Sequence, residues 1–354
     1  YADREDDSAT YTSNRIAKET LTTENASALT YAYTYDANGN IKEIKQNNSP
    51  YLLYEYDSLG QLTRESSYTT LNYDRYTYDD AGNRVTKNTY YWSGTLKSSE
   101  TYGYTNSTWG DLLTNYNGTT ITYDASGNPK NWKDVLIADW RGSRLSVLYF
   151  DTANAEELSF GYNADGIRTK KAYADMAGAV PCYTDRYTVD GSRILMEERT
   201  DDSTGSVVRT VYYVYDANGS PVGMKYNGTQ YWYQKNLQGD VVRILNSIGT
   251  EVVRYTYDAW GKVLSVTGSM ASTIGAANPF RYRSYYYDTE TGWYYLNTRY
   301  YDPNVGRFLS PDTLLGANGG LLGYNLFAYC NNNPVMYTDP SGMCYYSVSY
   351  THLR

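Results

Sequence analysis

The side chains best suited to chemistry lie close together in the chain, between residues 299 and 343. This stretch contains three aspartates, each beside a proline, in Asp302-Pro303, Pro311-Asp312 and Asp339-Pro340. Histidine occurs only at position 352, and the cysteines, at positions 182, 330 and 344, are scattered. This usage excludes Ser-His-Asp and Cys-His catalysis and histidine-based metal sites within this chain. Any catalysis must therefore use carboxylates, hydroxyl groups or arginine, and we expect neither a metal nor another cofactor.

Charge and hydropathy exclude further classes of partner. The chain has 31 basic and 39 acidic residues, a net charge of −8, and no dense basic block that could neutralise a row of phosphates. We therefore expect no nucleic-acid partner. A run of about eighteen apolar residues, which a membrane-spanning helix needs, is also missing from the sequence. The chain begins at Tyr1 without Met or a signal peptide, so we interpret it as a fragment.

Upstream of this stretch the chain repeats one short phrase. The phrase consists of an aromatic residue, any residue, Tyr-Asp, two further residues and Gly. The clearest copies contain the pairs Asp36 and Gly39, Asp57 and Gly60, Asp79 and Gly82, Asp216 and Gly219, and Asp258 and Gly261. The aspartates at positions 36, 57 and 79 are 21 and 22 residues apart. A fixed period near twenty indicates stacked copies of one supersecondary unit.

Each copy has the pattern of a β-hairpin. The two tyrosines point to one face of a strand, the aspartate accepts backbone N–H bonds in the turn, and the glycine supplies a positive φ. The 45 tyrosines, against 5 phenylalanines, suit half-buried strands. One hairpin cannot bury its apolar face alone, so consecutive hairpins should pair edge to edge in one long, coiling antiparallel ribbon. We predict an all-β protein whose ribbon encloses a space.

The rhythm of the repeats divides the chain. Residues 1–30 are a polar lead-in segment or a partial repeat, and residues 31–266 are the repeats. A loop of small residues at 267–277 then leads to a terminal core at residues 279–343. Residues 344–354 form a truncated tail whose end resembles translated sequencing adaptor.

The repeats and the terminal core together resemble a known family. The Tyr-Asp-x-x-Gly phrase is similar to the YD repeat of Rhs proteins and of the related toxin-complex C components. The terminal core resembles the domain that closes those proteins, through the motifs Tyr300-Tyr301-Asp302-Pro303, Gly306-Arg307-Phe308 and Pro334-x-x-x-x-Asp339-Pro340-x-Gly342. The resemblance implies a hollow shell that holds the protein's own C-terminal toxin and is plugged by the core.

The same resemblance implies a single-turnover self-cleaving aspartyl protease. The scissile bond would join Met343 to Cys344, with Met where the family usually has Leu. The catalytic aspartates would be Asp339 and Asp312, with Arg299 as a supporting positive charge. Asp302 is the alternative second aspartate, because Thr313 follows Asp312 where many relatives have proline.

Location and partners follow from this interpretation. We expect a secreted or cell-surface bacterial protein whose partners are its own toxin domain and a secretion apparatus or cognate shell proteins. The alternative is a non-catalytic surface module for glycan or cell-cell adhesion. Its tyrosine-rich strands would then stack against carbohydrate.

Overall fold

The computed structural model describes residues 3–4, 11–12, 15–151, 156–175, 177–178, 181–316 and 321–348. Parts of the lead-in segment and most of the tail lie outside these ranges. The described residues form antiparallel hairpins throughout, which confirms the all-β prediction.

The repeats form two long sheets in which each strand pairs with its neighbours in sequence. A short pair, β1 and β2, precedes them at Asp3–Arg4 and Tyr11–Thr12. The first sheet has ten strands: β3 Lys18–Thr23, β4 Ala26–Tyr35, β5 Ile41–Gln46, β6 Ser49–Tyr56, β7 Leu62–Ser67, β8 Asn72–Tyr78, β9 Arg84–Tyr91, β10 Leu96–Gly103, β11 Asn115–Tyr116 and β12 Thr119–Thr120. The second has twelve: β13 Ile137–Arg141, β14 Arg144–Asp151, β15 Glu156–Tyr162, β16 Arg168–Asp175, β17 Tyr183–Asp190, β18 Arg193–Asp201, β19 Ser206–Tyr215, β20 Pro221–Tyr226, β21 Thr229–Lys235, β22 Val241–Asn246, β23 Glu251–Tyr257 and β24 Val263–Thr267.

The ribbon is interrupted once, between β12 and β13, so it forms two sheets where the sequence predicted one. In this interval β-pairing is limited to two isolated bridges, Tyr123 to Pro129 and Trp132 to Val135. Proline has no N–H to donate, and the Trp132 indole points to the terminal core, where it donates to Asp302. Both features draw the chain away from continuous pairing.

The terminal core consists of small elements packed between the two sheets. Its strands are β25 Tyr286–Asp288, β26 Trp293–Tyr295, β27 Tyr300–Asp302, β28 Arg307–Phe308 and β29 Tyr337–Thr338, and β29 pairs with β30 at Tyr346–Ser347. Short 3-10 turns occur at Tyr282–Ser284, Leu321–Tyr324 and Cys330–Asn332. The preceding segment, predicted as a loop, instead contains a π-helical turn at Ala271–Gly275 with Ile274 buried.

In the repeat turns the aspartate accepts backbone N–H bonds and the glycine adopts a positive φ. In turn 57–61, the Asp57 carboxylate accepts backbone N–H bonds from Leu59 and Gln61 at 2.9 Å each. Gly60 has a φ of +79°, a backbone conformation that glycine adopts without strain. The same geometry recurs at Asp36, Asp79, Asp216 and Asp258.

A second periodic bond explains why tyrosine is preferred to phenylalanine. The hydroxyl of the tyrosine just before a repeat turn donates to a backbone carbonyl near the start of an earlier strand. The pairs include Tyr56 to Ile41, Tyr78 to Leu62, Tyr104 to Arg84, Tyr162 to Leu145, Tyr215 to Ile194 and Tyr257 to Val241, at 2.7–3.0 Å. Each repeat is thereby tied to the one before it, and a phenylalanine would leave a carbonyl unpaired.

Candidate self-cleavage site

Arg299 stands at the centre of the candidate site, immediately before β27. Its side chain is 6% exposed and its guanidinium lies over the Phe308 ring, 3.6 Å from the ring centroid. Nη1 donates to the Leu326 carbonyl at 2.9 Å, and Nε donates to the Gly342 carbonyl. Nη2 donates to Asp312 at 2.7 Å. The guanidinium therefore connects three separate segments of the terminal core.

Asp312 is positioned by its backbone as well as by Arg299. Its N–H donates to the Leu326 carbonyl at 2.9 Å, and its carboxylate also accepts the Leu314 N–H at 2.9 Å. Leu326 therefore accepts bonds from both members of the Arg299–Asp312 ion pair. The pair is held at the rim of the core, where Asp312 is partly exposed.

Asp339 lies in a turn that contains the expected scissile bond. One carboxylate oxygen accepts backbone N–H bonds from Gly342 at 2.8 Å and from Met343 at 3.1 Å. The other oxygen lies 3.6 Å from Nη2 of Arg299. Its own N–H donates to the Tyr285 hydroxyl at 2.7 Å. The aspartate thus holds the residue whose carbonyl would be attacked.

Gly342 is required by the close approach of two segments. Its φ is +75°, and a Cβ there would come within 2.7 Å of the Leu296 carbonyl oxygen. Thr298 donates to the neighbouring Ser341 carbonyl at 2.7 Å. The turn after Asp339 therefore lies directly against the β26–β27 connection that carries Arg299.

Burial changes the protonation of this site. Removal from water raises the pKa of Asp339 above its ordinary value, while Arg299 and the turn N–H groups partly oppose the rise. Burial likewise lowers the pKa of Arg299, and the two aspartates oppose that change. Asp312 forms an ion pair with Arg299 at 2.7 Å. The two aspartates therefore differ: Asp339 holds its proton to higher pH than a free aspartate does, and Asp312 is paired with Arg299.

A small cavity joins these groups. Arg299, Asp312, Asp339 and Met343 line it together with residues that include Cys330. Its volume is about 20 Å³, enough to hold one water molecule. A water there would be in reach of two carboxyl groups and the expected scissile residue.

Asp302, the alternative catalytic aspartate, has a different set of partners. It is completely buried and accepts bonds from the Trp132 indole at 2.9 Å and the Lys133 ammonium at 3.0 Å. It also accepts the Asn304 N–H at 2.8 Å. These contacts attach the core to the interval between the two sheets, and the structure groups Asp312, rather than Asp302, with Arg299.

The remaining motif residues shape the turn and its surroundings. The Pro334 carbonyl is buried and accepts bonds from Arg283 and Tyr282. Pro340 is exposed, and its carbonyl accepts the Asn297 amide at 3.3 Å. Cys344 is a partly buried free thiol that follows Met343.

Sequence reasoning missed several groups at this site. The Leu326 carbonyl and the Tyr285 hydroxyl are contacts that residue type alone does not mark. Cys330 lines the cavity, and burial raises its pKa well above the ordinary value, so the thiol is not activated. In the described ranges no cluster of His, Cys, Asp and Glu could hold a metal ion. Nor does the described part of the chain contain a helix long and apolar enough to cross a membrane.

Comparison with known proteins identifies the class. The Teneurin YD-shell family model matches residues 200–335. The crystal structure of TcdB2-TccC3-TEV superimposes with a TM-score of 0.72 over 89% of this chain and 17% of that one, at 21% identity, which is a likeness of fold. The hairpin ribbon with its packed core is therefore a YD shell.

Relatives at higher identity define the family. The chain is 36% identical to the tRNA nuclease WapA of Bacillus subtilis over 291 residues, covering 81% of this chain and 12% of that protein. It is 26% identical to Double-stranded DNA deaminase toxin A of Burkholderia cenocepacia, covering 88% of this chain and 22% of the relative. The chain belongs to the YD-repeat shell proteins of the Rhs type, and it spans about an eighth to a fifth of these two relatives' lengths.

Proposed function

We propose that this chain is part of a toxin shell and that it releases an enclosed C-terminal toxin by cutting its own backbone after Met343. The observation that carries the proposal is the convergence of Arg299, Asp312 and Asp339 on one cavity with Met343. The names of the relatives, a nuclease and a deaminase toxin, support a toxin as the enclosed partner. Secretion or display at the cell surface, with a secretion apparatus or cognate shell proteins as further partners, belongs to the same proposal.

The chemistry would use two aspartates in different protonation states. The Asp312 carboxylate accepts a proton from a water in the cavity, and the water oxygen attacks the Met343 carbonyl carbon. Protonated Asp339 donates its proton to the carbonyl oxygen. As the tetrahedral intermediate collapses, Asp312 gives the proton it took from the water to the nitrogen of Cys344, the C–N bond breaks, and a hydroxyl of the intermediate returns a proton to Asp339. Cys344 thereby becomes the new amino terminus. Met343 keeps the new carboxylate.

Arg299 contributes position and charge. Its bond to the Gly342 carbonyl fixes the residue before Met343, while its bond to Asp312 holds that carboxylate in position.

Intact mass spectrometry of the purified chain tests the proposal. Wild-type protein should lose residues 344–354, whereas Asp339→Asn and Asp312→Asn should keep the full-length mass while remaining folded. Asp302→Asn is the matched control, because Asp302 is a buried aspartate of the same core with other partners. Cleavage that persists in folded Asp339→Asn, or that stops only in Asp302→Asn, would contradict the assignment.

A second candidate function, glycan binding, is favoured by one surface feature. Tyr68 and Trp92 lie edge to face on adjacent hairpin tips, 4.6 Å between ring centroids, and Trp92 is 44% exposed. Exposed aromatic rings can stack on sugars. A glycan array on the folded chain tests this function, with Trp92→Ala as its control, and the toxin-shell proposal expects no saccharide binding.

A further inference from the structure

Three successive repeat turns carry an amide side chain directly after the glycine. These residues are Asn40, Gln61 and Asn83, in turns 36–40, 57–61 and 79–83. Each amide nitrogen donates to the carboxylate of its own turn aspartate, at 2.8–3.1 Å. Because this bond fixes the orientation of the amide, the amide oxygen points away from its own turn and can accept a hydrogen bond.

Three asparagines of the terminal core donate to these oxygens, in the reverse order along the chain. Asn333 donates to Asn40 at 3.0 Å, Asn332 to Gln61 at 2.9 Å, and Asn325 to Asn83 at 2.8 Å. The same core amides also donate to turn carbonyls, at Gly60, Gly82 and Ala81. We call these six side chains the amide ladder. Asn332 and Asn333 each bridge two consecutive turns, so their bonds require the turns to be stacked in the correct register.

The core asparagines of the ladder are adjacent to the candidate cleavage site in sequence. Asn325 precedes Leu326, whose carbonyl accepts from both Arg299 and Asp312. Asn332 and Asn333 follow Cys330 and Asn331, which line the cavity. A shift of any ladder asparagine would therefore move a wall of that cavity.

The segment that connects ladder and cavity has a strained backbone. Cys330, Asn331 and Asn332 have φ values of +52°, +50° and +59°, in succession. Such a run of left-handed residues persists only where the surroundings enforce it. The Asn332 and Asn333 bonds to the repeat turns are among the contacts that hold it.

We propose that the amide ladder couples the winding of the first three repeat turns to the geometry of the cleavage site, so that the chain cuts itself only after these turns have stacked against the core. This inference rests on the proposed self-cleavage. The ladder asparagines are positioning residues, since they touch neither Asp312 nor Asp339 but fix the segments that do. Their effect would delay release of the toxin until its container is assembled.

A fourth turn supplies a matched control. Asn128 occupies the same position in turn 124–128 and donates to its own Asp124 at 2.9 Å, but its amide also donates to the Gly142 carbonyl within the repeats. Replacement of Asn128 by alanine should weaken a turn as much as replacement of Gln61, without touching the ladder.

The test follows cleavage of the full chain by intact mass during refolding from denaturant. Gln61→Ala and Asn83→Ala should slow cleavage at least about tenfold relative to wild type, while Asn128→Ala should cut at the wild-type rate. Equal rates in all variants would overturn the inference. An equal slowing in Asn128→Ala would overturn it too, because the effect would then be one of general turn stability.

A pH profile separates positioning from simple loss of packing. In Asn332→Asp, an ionised carboxylate would face the Gln61 oxygen and the Gly82 carbonyl, both acceptors. Protonation restores a donor of the same shape. Cleavage by this variant, relative to wild type at the same pH, should recover as the pH falls, whereas a ratio that stays flat would contradict the role assigned to the bond.

Thiol labelling tests the ladder without depending on cleavage. Cys330 is 2% exposed and lies in the strained segment, while Cys182 lies in the loop before β17 of the second sheet and serves as the internal reference. In Gln61→Ala the alkylation rate of Cys330 should rise relative to Cys182. A wild-type chain that never cuts would refute the proposed function, and unchanged Cys330 labelling would refute the ladder, so the two failures are distinguishable.

Discussion

Arg299 shows how a single side chain can organise a site whose parts are distant in sequence. Its guanidinium donates to two backbone carbonyls and one carboxylate, while its face packs on Phe308. A planar group with five N–H donors can satisfy such a set, and an ammonium on a single stem cannot. The identity of the residue, beyond its charge, is therefore part of the site.

Replacement of Arg299 by lysine should reduce the cleavage rate by roughly 100-fold or more, the scale expected when a positioned donor is removed. The charge is kept, but Gly342 and Leu326 lose their fixed donor. Arg307→Lys is the control, because Arg307 is another buried arginine of the core and bonds Tyr104 and the Asp111 carbonyl. Rates would be measured by intact mass during refolding, and an Arg299→Lys chain that cuts normally would show that charge alone suffices.

Asp339 should determine the alkaline side of the pH profile of cleavage. Burial raises its pKa above the ordinary value of 3.8, so the folded protein holds the proton to higher pH than a free aspartate would. If the protonated form is the acid, the rate falls about tenfold per pH unit above the raised pKa. Single-turnover rates across a pH series test this, and a rate that rises steadily with pH would instead make Asp339 the base.

At the scale of the hairpin, stability depends on bonds between repeats as well as within them. Tyr56 belongs to the following repeat, and its hydroxyl donates to the Ile41 carbonyl at 2.8 Å. Tyr56→Phe should lower the free energy of unfolding by about 1 kcal/mol, since the ring still packs but a carbonyl loses its donor. Tyr91→Phe, at a tyrosine that is 47% exposed, should change it little. Urea unfolding measures both, and equal effects would remove the special role of the periodic bond.

The hairpins were predictable because their determinants are local. Asp57 and Gly60 satisfy the backbone of their own turn, and the period of the phrase fixes the strand spacing. The helical turn at Ala271–Gly275 was not predictable, because tertiary contacts stabilise it. The Tyr255 hydroxyl, for example, donates to the Gly275 carbonyl at 2.7 Å. The break between β12 and β13 has a similar cause, since Trp132 is drawn to Asp302 in the terminal core.

The sequence also indicated the residues of the candidate site better than their arrangement. The family resemblance indicates Arg299, Asp312 and Asp339, with Asp302 as the alternative to Asp312 because Thr313 replaces a proline. In the folded chain Asp302 pairs with Lys133, which is 169 positions away, whereas Asp312 pairs with Arg299. The amide ladder was invisible for the same reason: Asn333 and Asn40 are 293 positions apart.

At the scale of the whole molecule, buried charges connect the two sheets and the core. Arg168 of the second sheet forms a two-bond ion pair with Asp288 of the core, at 2.6 and 3.0 Å, with both side chains at most 1% exposed. Removing one partner of such a pair leaves an uncompensated charge in the interior. The Arg168–Asp288 pair therefore fixes how the second sheet is oriented on the terminal core, in addition to the apolar packing between them.

Glu65 forms the equivalent contact between the first and second sheets. It lies on β7 and accepts the Ala259 N–H at 2.8 Å from a turn of the second sheet. Burial, and then the nearby charges of Asp258 and Asp74, raise its pKa well above the ordinary 4.5. The folded state therefore binds this proton more tightly than the unfolded chain does. The resulting stability is complete below pH 4.5 and is lost as the pH rises toward the raised pKa.

Glu65→Gln removes this titration and keeps an oxygen that can accept the Ala259 N–H. The unfolding free energy of the variant, relative to wild type at the same pH, should increase as the pH rises from about 4.5, by about 1.4 kcal/mol for each unit by which the pKa is raised. The control is Glu55→Gln, since Glu55 is exposed and pairs with Arg64 on the surface, and its difference from wild type should stay nearly flat. Denaturant titrations at several pH values measure both differences. If the difference for Glu65→Gln stays flat, Lys87, which lies 3.9 Å from Asp258, neutralises the nearby carboxylates. The pKa of Glu65 is then not raised in the folded protein.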